Sequence, residues 1–194
     1  MPETLLCALK GCADGYFYIP TLGPFFNGEP GPPKSLKIEL LFDNPKLAGD
    51  QTGGTSPYPE LANYPDGKVD LKDYNWMQYQ YGKNEGMVGW DYMSDVVPDR
   101  KCDLKDLNTV ANNYGGVGSY SNDLSGVTVH FDTGETETPN GDGFVNIPDG
   151  ATEFHVKKNG SPIGAMVTFW KEPLAPPSAA AKKMLGDGLT WVMM

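Results

Sequence analysis

The residues of this chain whose types and spacing could do chemistry are carboxylates at closely set positions, and they come twice. Asp66-Gly67-Lys68-Val69-Asp70-Leu71-Lys72-Asp73 recurs as Asp99-Arg100-Lys101-Cys102-Asp103-Leu104-Lys105-Asp106. Each copy runs on to an Asn (Asn75, Asn108) and closes with Tyr-Gly (Tyr81-Gly82, Tyr114-Gly115), at a constant offset of 33 residues. Nine of the seventeen aligned pairs from Asp66/Asp99 to Gly82/Gly115 are identical, so one supersecondary unit is used twice. Clustered carboxylates ahead of a helix-like stretch are what a hard, oxygen-seeking cation such as Ca²⁺ requires.

An EF-hand-type loop places ligands at positions 1, 3, 5, 7, 9 and 12, with a backbone carbonyl at 7 and Gly at 6 for the turn. With Asp73 at 12, Asp70 falls at 9, the Lys68 carbonyl at 7, Gly67 at 6 and Asp66 at 5. Tyr64 and Ala62 then hold positions 3 and 1 without a carboxylate, and Asn63 could serve only in a shifted register. In the second copy Asp106, Asp103, the Lys101 carbonyl, Asp99 and Asp95 take positions 12, 9, 7, 5 and 1. Val97 stands at position 3, and Arg100 replaces the glycine, which forces a side-chain-bearing residue toward positive φ. Loop one is thus expected to have the turn without its opening ligand, and loop two the reverse.

The elements that must position these loops follow from periodicity. Leu71, Tyr74, Met77/Gln78 and Tyr81, and then Leu104, Leu107, Val110/Ala111 and Tyr114, recur at helical spacing, with Gly82 and Gly115 as stops. Val69 and Cys102, at position 8, are expected to point into the core between the loops. The plainer alternative is that the carboxylates only cap two helices and face water. Two copies with one spacing and one downstream helix favour metal in at least one loop.

Tandem loop–helix repeats of this form resemble type I dockerin repeats, especially the dockerin-like modules of archaeal surface proteins. The stretch Trp90-Asp91-Tyr92-Met93-Ser94-Asp95-Val96-Val97-Pro98-Asp99 shares that character, and the likeness covers roughly residues 61–116. It implies two Ca²⁺ ions held by half EF-hands about a pseudo-twofold axis. In cellulosomal dockerins positions 10 and 11 help contact a cohesin; the resemblance therefore makes Leu71, Lys72, Leu104 and Lys105 the partner-binding candidates.

A third stretch, Asn140-Gly141-Asp142-Gly143 through Asp149, imitates the loop, but Pro148 and Gly150 forbid an exiting helix, so a β-turn is expected. Around the repeats the pattern is that of strands. Tyr16–Ile19, Ser35–Phe42, Val127–Phe131, Phe144–Ile147, Thr152–Val156 and Ala165–Phe169 are the candidates, with a type I′ hairpin expected at Asn159-Gly160 between the last two. Four late strands read as half a β-sandwich, with the two early ones supplying its edge. The expected class is α+β: an antiparallel β-sandwich, Ig-like or jelly-roll-like, with an inserted two-helix EF-hand-like module. The divisions are residues 1–60 (arm and strands), 61–116 (repeats), 117–172 (strands) and 173–194 (linker and assembly arm, with a short helix over Ala179–Leu185). Two separate domains are the alternative.

The composition excludes much. A net charge of −10 repels phosphate backbones and argues against nucleic acid as a partner. The 24 glycines and 17 prolines point to a loop-rich β protein. There is no run of eighteen apolar residues, hence no membrane span. Cys7, Cys12 and Cys102 make no disulfide framework, though Cys7 and Cys12 are near enough to pair. His130 and His155 alternate outward from apolar strand neighbours, and no nucleophile elbow or phosphate loop is present. Trp76, Tyr79 and Tyr81 read as core and helix–sheet packing, or else as a carbohydrate-stacking platform.

The expectation is a non-enzymatic, calcium-stabilised structural protein that associates with copies of itself, on a virion surface or in an extracellular filament. The opening stretch Met1–Lys10 lacks the basic region of a secretory signal, which favours the virion version. The alternatives are a dockerin-type module anchored to a cohesin-like partner and a carbohydrate-binding β-sandwich.

Overall fold

The computed structural model describes residues 5–10, 15–20, 31–40, 43–57 and 63–174. The pairing of Cys7 with Cys12, the role of Ala62, the C-terminal helix and the apolar terminus lie outside the described residues and side chains.

The chain is α+β, built from antiparallel sheets and two helices. Its strands are β1 (Leu5–Lys10), β2 (Tyr16–Tyr18) and β3 (Ser35–Leu40) before the helices, α1 (Leu71–Gln80) and α2 (Leu104–Asn112). After them come β4 (Val127–Phe131), β5 (Thr136–Glu137), β6 (Phe144–Asn146), β7 (Glu153–Lys158), β8 (Ser161–Pro162) and β9 (Ala165–Trp170). One sheet has the order β1-β9-β3-β6; the other runs β2-β7-β4-β5, with β8 paired to β7. A single apolar cluster draws on both, with Leu36, Ile38, Val167 and Phe169 from the first sheet and Val127, Val129, Phe154 and Val156 from the second. Alternation explains the inward faces: Val127, Val129 and Phe131 are buried while Thr128 and His130 between them are half-exposed.

Two expectations about pairing are corrected. Asn159 and Gly160, at φ 51° and 81°, do make the two-residue turn with both central residues at positive φ, but it joins β7 to the short β8. β9 crosses instead to the other sheet, where it lies between β1 and β3. β3 is therefore an internal strand rather than an edge, with Ile38 opposite Val167 and Leu36 opposite Val145. The Asn140–Asp149 stretch forms a turn as expected, Asn140 Oδ1 accepting from the Asp142 and Phe144 amides, both at 3.0 Å.

Side-chain hydrogen bonds tie the residues before the helical insert to those after it. The Leu40 amide donates to Asn122 Oδ1 at 2.8 Å, the Ser121 amide to Asp43 Oδ2 at 3.0 Å, and Asn44 Nδ2 to the Ser119 carbonyl at 3.2 Å. Beyond these bonds, Leu47, Val69, Met77, Cys102 and Val110 form a second core, flanked by Tyr74, Trp90, Val96, Leu107 and Tyr120. Leu47 and Tyr120 show that this packing reaches past the 61–116 span on both sides. Among the described residues no helix is long and apolar enough to cross a membrane.

The two halves of the insert are bonded to each other by an exchange that repeats at the same 33-residue offset. The Gly115 amide donates to the Val69 carbonyl and the Val69 amide to the Gly116 carbonyl, at 2.8 and 2.9 Å. One repeat on, the Gly82 amide donates to the Cys102 carbonyl and the Cys102 amide to the Lys83 carbonyl, at the same 2.8 and 2.9 Å. Val69 and Cys102 are fully buried, as their loop position requires, but each pairs with the exit of the other repeat's helix. This crossed exchange ties the two repeats together.

The helical stripes are shorter than their spacing suggests. Met77 and Val110 are buried and Tyr74 and Leu107 half-buried, but Leu71, Tyr81, Leu104 and Tyr114 at the ends are exposed. The helices are only 10 and 9 residues long, so their terminal residues overhang the small core they cover. The packing expected of Trp76, Tyr79 and Tyr81 is corrected too: Tyr79 and Tyr81 are exposed, and Trp76, half-buried, donates to Asp91 Oδ2 at 3.1 Å.

Candidate metal centre

In both loops the helix-starting carboxylates close a reciprocal cap. Asp73 Oδ2 accepts from the Asp70 amide and Asp106 Oδ2 from the Asp103 amide, each at 2.8 Å. Asp70 Oδ1 and Asp103 Oδ1 accept from the Lys72 and Lys105 amides, each at 2.7 Å. Capping accounts for Asp70 and Asp103, which are half-exposed. It accounts for only one oxygen each of Asp73 and Asp106, which are withdrawn from water at 1% and 0% exposure.

The other oxygen of each buried carboxylate reaches back to the loop's start. Asp73 Oδ1 accepts from the Gln51 and Thr52 amides at 2.8 and 3.0 Å; Asp106 Oδ1 accepts from the Val97 amide at 2.8 Å. At the turn, Asp95 Oδ1 accepts from the Asp99 amide at 3.1 Å and Asp95 Oδ2 from the Arg100 amide at 2.8 Å. Arg100 takes φ 64° where Gly67 takes 82°, so the positive φ expected of the arginine is present. Its guanidinium meets Glu85 at 3.2 Å and lies 5.3 Å from the centroid of the Tyr16 ring.

The expectation that loop one has no opening carboxylate is corrected. Asp50, buried at 1% exposure, accepts from the Asp66 amide at 3.1 Å (Oδ1) and from the Gly67 amide at 2.7 Å (Oδ2), the bonds that Asp95 makes in loop two. Tyr120 Oη adds a third bond to its Oδ2 at 2.9 Å. Spacing hides Asp50, which stands 16 residues before Asp66, whereas Asp95 stands four before Asp99. The available signal was the Asp-x-Thr of Asp50–Thr52 set against Asp-x-Val of Asp95–Val97. Asn63 Oδ1 sits 3.5 Å from Thr52 Oγ1, at the rim of the loop.

One atom in each loop is buried without a hydrogen-bond partner, and it is the same atom: Asp66 Oδ1 and Asp99 Oδ1. Their other oxygens meet the lysine six residues on, Lys72 Nζ at 3.7 Å from Asp66 Oδ2 and Lys105 Nζ at 2.7 Å from Asp99 Oδ2. Burial pushes Asp50 and Asp95 up to about 6, with repulsion from Asp73 and from Asp106 and Asp99 adding to it. Burial likewise raises Asp73 and Asp106, while the Lys105 hydrogen bond holds Asp99 down. Each loop thus sets crowded, mutually repelling carboxylates beside one oxygen left without a partner, the kind of donor an oxygen-preferring cation seeks. The side chains do not close a finished cage: among the described residues no three of His, Cys, Asp or Glu converge to metal-holding distance.

Lys68 and Lys101, the carbonyl candidates, lie on the equivalent bridges Lys68–Val117 and Asn84–Lys101, with exposed side chains. The four partner-binding candidates are exposed in matched pairs, Leu71 at 57% and Leu104 at 56%, with Lys72 and Lys105 beside them. His130 and His155 face each other across β4 and β7 and are half-buried, His130 against Thr128 and Thr136 and His155 against the Tyr16 ring. No protein-family model, curated protein or solved structure matches this chain.

Proposed function

We propose that this is a non-enzymatic, calcium-stabilised assembly protein: a β-sandwich, of Ig-like or jelly-roll-like kind, carrying a two-loop dockerin-like module. The observation that supports it most is the buried, unpartnered oxygen repeated at Asp66 and Asp99, each among crowded carboxylates. In this reading Asp66, Lys68 (carbonyl), Asp70 and Asp73 hold Ca²⁺ in loop one, with Asn63 at its rim. Asp95, Asp99, Lys101 (carbonyl), Asp103 and Asp106 hold it in loop two. The ion supplies charge neutralisation, and the chain's own residues hold their backbones in the ligating turn.

The assembly half of the proposal rests on the exposed face. Leu71 and Leu104, and Tyr81 and Tyr114 at 52% and 56% exposure, repeat about the insert as pairs. Apolar side chains at matched places on two pseudo-symmetric halves suit a repeated contact with another copy, on a virion surface or in an extracellular filament. The same face, with Lys72 and Lys105, favours the second reading, a module that docks on a cohesin-like protein. Sedimentation of the purified chain with Ca²⁺ and with chelator tests the first. Large, chelator-sensitive assemblies lost in the Leu71→Ser/Leu104→Ser double variant support it; a monomer under both conditions that binds a cohesin-like protein supports the second.

A further inference from the structure

Resting on the calcium reading above, we infer that the first cation loop is discontinuous. Asp50 and Thr52 are its opening donors, residues 53–64 are an insertion within it, and it is the tighter of the two sites. Hydrogen bonding fixes the correspondence without reference to any sequence motif. Asp50 binds the amides of Asp66 and Gly67 as Asp95 binds those of Asp99 and Arg100. Two residues on, the Thr52 amide donates to Asp73 Oδ1 as the Val97 amide donates to Asp106 Oδ1. Asp50–Thr52 and Pro65–Asp73 together thus do what Asp95–Asp106 does as one run.

The insertion closes on itself, which is why it can be tolerated there. Gly53 bridges to Pro65, and the Gly54 amide donates to the Tyr64 carbonyl at 2.8 Å, so the chain leaves and returns side by side. Gly53 sits where a Cβ would come within 2.5 Å of Asp66 Oδ2; the departing chain lies directly against that carboxylate.

Three differences then rank the sites. Thr52 offers a hydroxyl where loop two has the apolar Val97. Gly67 makes the turn at φ 82° freely, whereas Arg100 is held at 64°. Lys105 grips Asp99 at 2.7 Å, while Lys72 stands 3.7 Å from Asp66, so loop two must loosen a closer internal counter-ion before a metal can use that carboxylate. Read along the sequence alone, loop one lacks its first ligand; folded, it has the richer donor set.

Terbium luminescence of the metal-stripped full chain, followed by displacement with Ca²⁺, tests this. The wild type is expected to show two sites of unequal affinity. Asp50→Asn removes the tighter, Asp95→Asn removes the weaker, and Thr52→Val weakens the tighter severalfold while leaving the other unchanged. Circular dichroism of each stripped variant confirms that the fold persists, and Thr52→Val, which keeps its amide bond to Asp73, serves if Asp50→Asn does not fold. Two sites with the tighter one unmoved by Asp50→Asn and Thr52→Val, or lost in Asp95→Asn, overturn the inference alone. A wild type that takes up neither ion overturns the calcium reading beneath it.

Discussion

On the proposed calcium reading, the metal-free and Ca²⁺-loaded proteins should show opposite pH dependences of stability. In the metal-free protein Asp50 and Asp95 titrate at about 6 because burial, reinforced by Asp73 and by Asp106 and Asp99, disfavours their charged forms. Unfolded, both return to 3.8. Between those values the folded chain holds protons that the unfolded chain has released, so metal-free stability rises as pH falls from 7 toward 4. Two pKa units correspond to about 3 kcal/mol per group, as an upper figure for fully independent sites. His130, lowered by burial and by Lys157, opposes the trend below 6.5. Asp99, Asp123 and Asp132, all lowered, lose their contributions only below 3.8. Ca²⁺ bound as proposed would keep the carboxylates ionised, and acid would then displace the ion and cost stability. Urea unfolding across pH 4.5 to 7.5, with and without Ca²⁺, reads both slopes. A metal-free protein that loses stability steadily from pH 7 to 5 would refute the reasoning about Asp50 and Asp95.

Smaller perturbations follow from the packing. Gly67→Ala puts a Cβ 2.6 Å from the Gly118 carbonyl oxygen at a φ of 82°, and should destabilise the insert by about 1–3 kcal/mol in thermal unfolding. Cys102 is fully buried against Met77, Sγ to Sδ 3.1 Å, and burial with the nearby carboxylates Asp106, Asp95 and Asp103 pushes its thiol up to about 12. Iodoacetamide should therefore leave Cys102 unmodified in the native protein and alkylate it in urea, as mass spectrometry would show. Phe154→Ala, emptying the contact with Phe17, Phe131 and Phe169, should cost about 3–5 kcal/mol.

What could be read from the sequence was what local physics controls. Alternation marks β3, β4 and β7, an apolar run between turns marks β9, the Asn-Gly pair marks a turn, and Arg100 in a glycine's place announces its positive φ. Strand partnership was not local: β7, ending at Lys158, and β9, starting at Ala165, belong to different sheets, and β1 gains its place only by pairing with β9. β1 itself was passed over because its Leu-Leu-Cys-Ala-Leu run has no alternation to mark it. Asp50 was hidden for the same kind of reason, since an insertion separates it from the residues whose amides it holds. Periodicity, finally, overstated burial at Leu71, Tyr81, Leu104 and Tyr114, because it gives the direction of a side chain but not the reach of the surface opposite.

Calorimetric titration of the metal-stripped full chain with Ca²⁺ at neutral pH bears most directly on the central claim. The account predicts saturable uptake of two ions per chain, accompanied by a rise in the unfolding temperature. No heat of binding and an unfolding temperature indifferent to Ca²⁺ would contradict it, leaving the paired acidic turns as helix caps and nothing more.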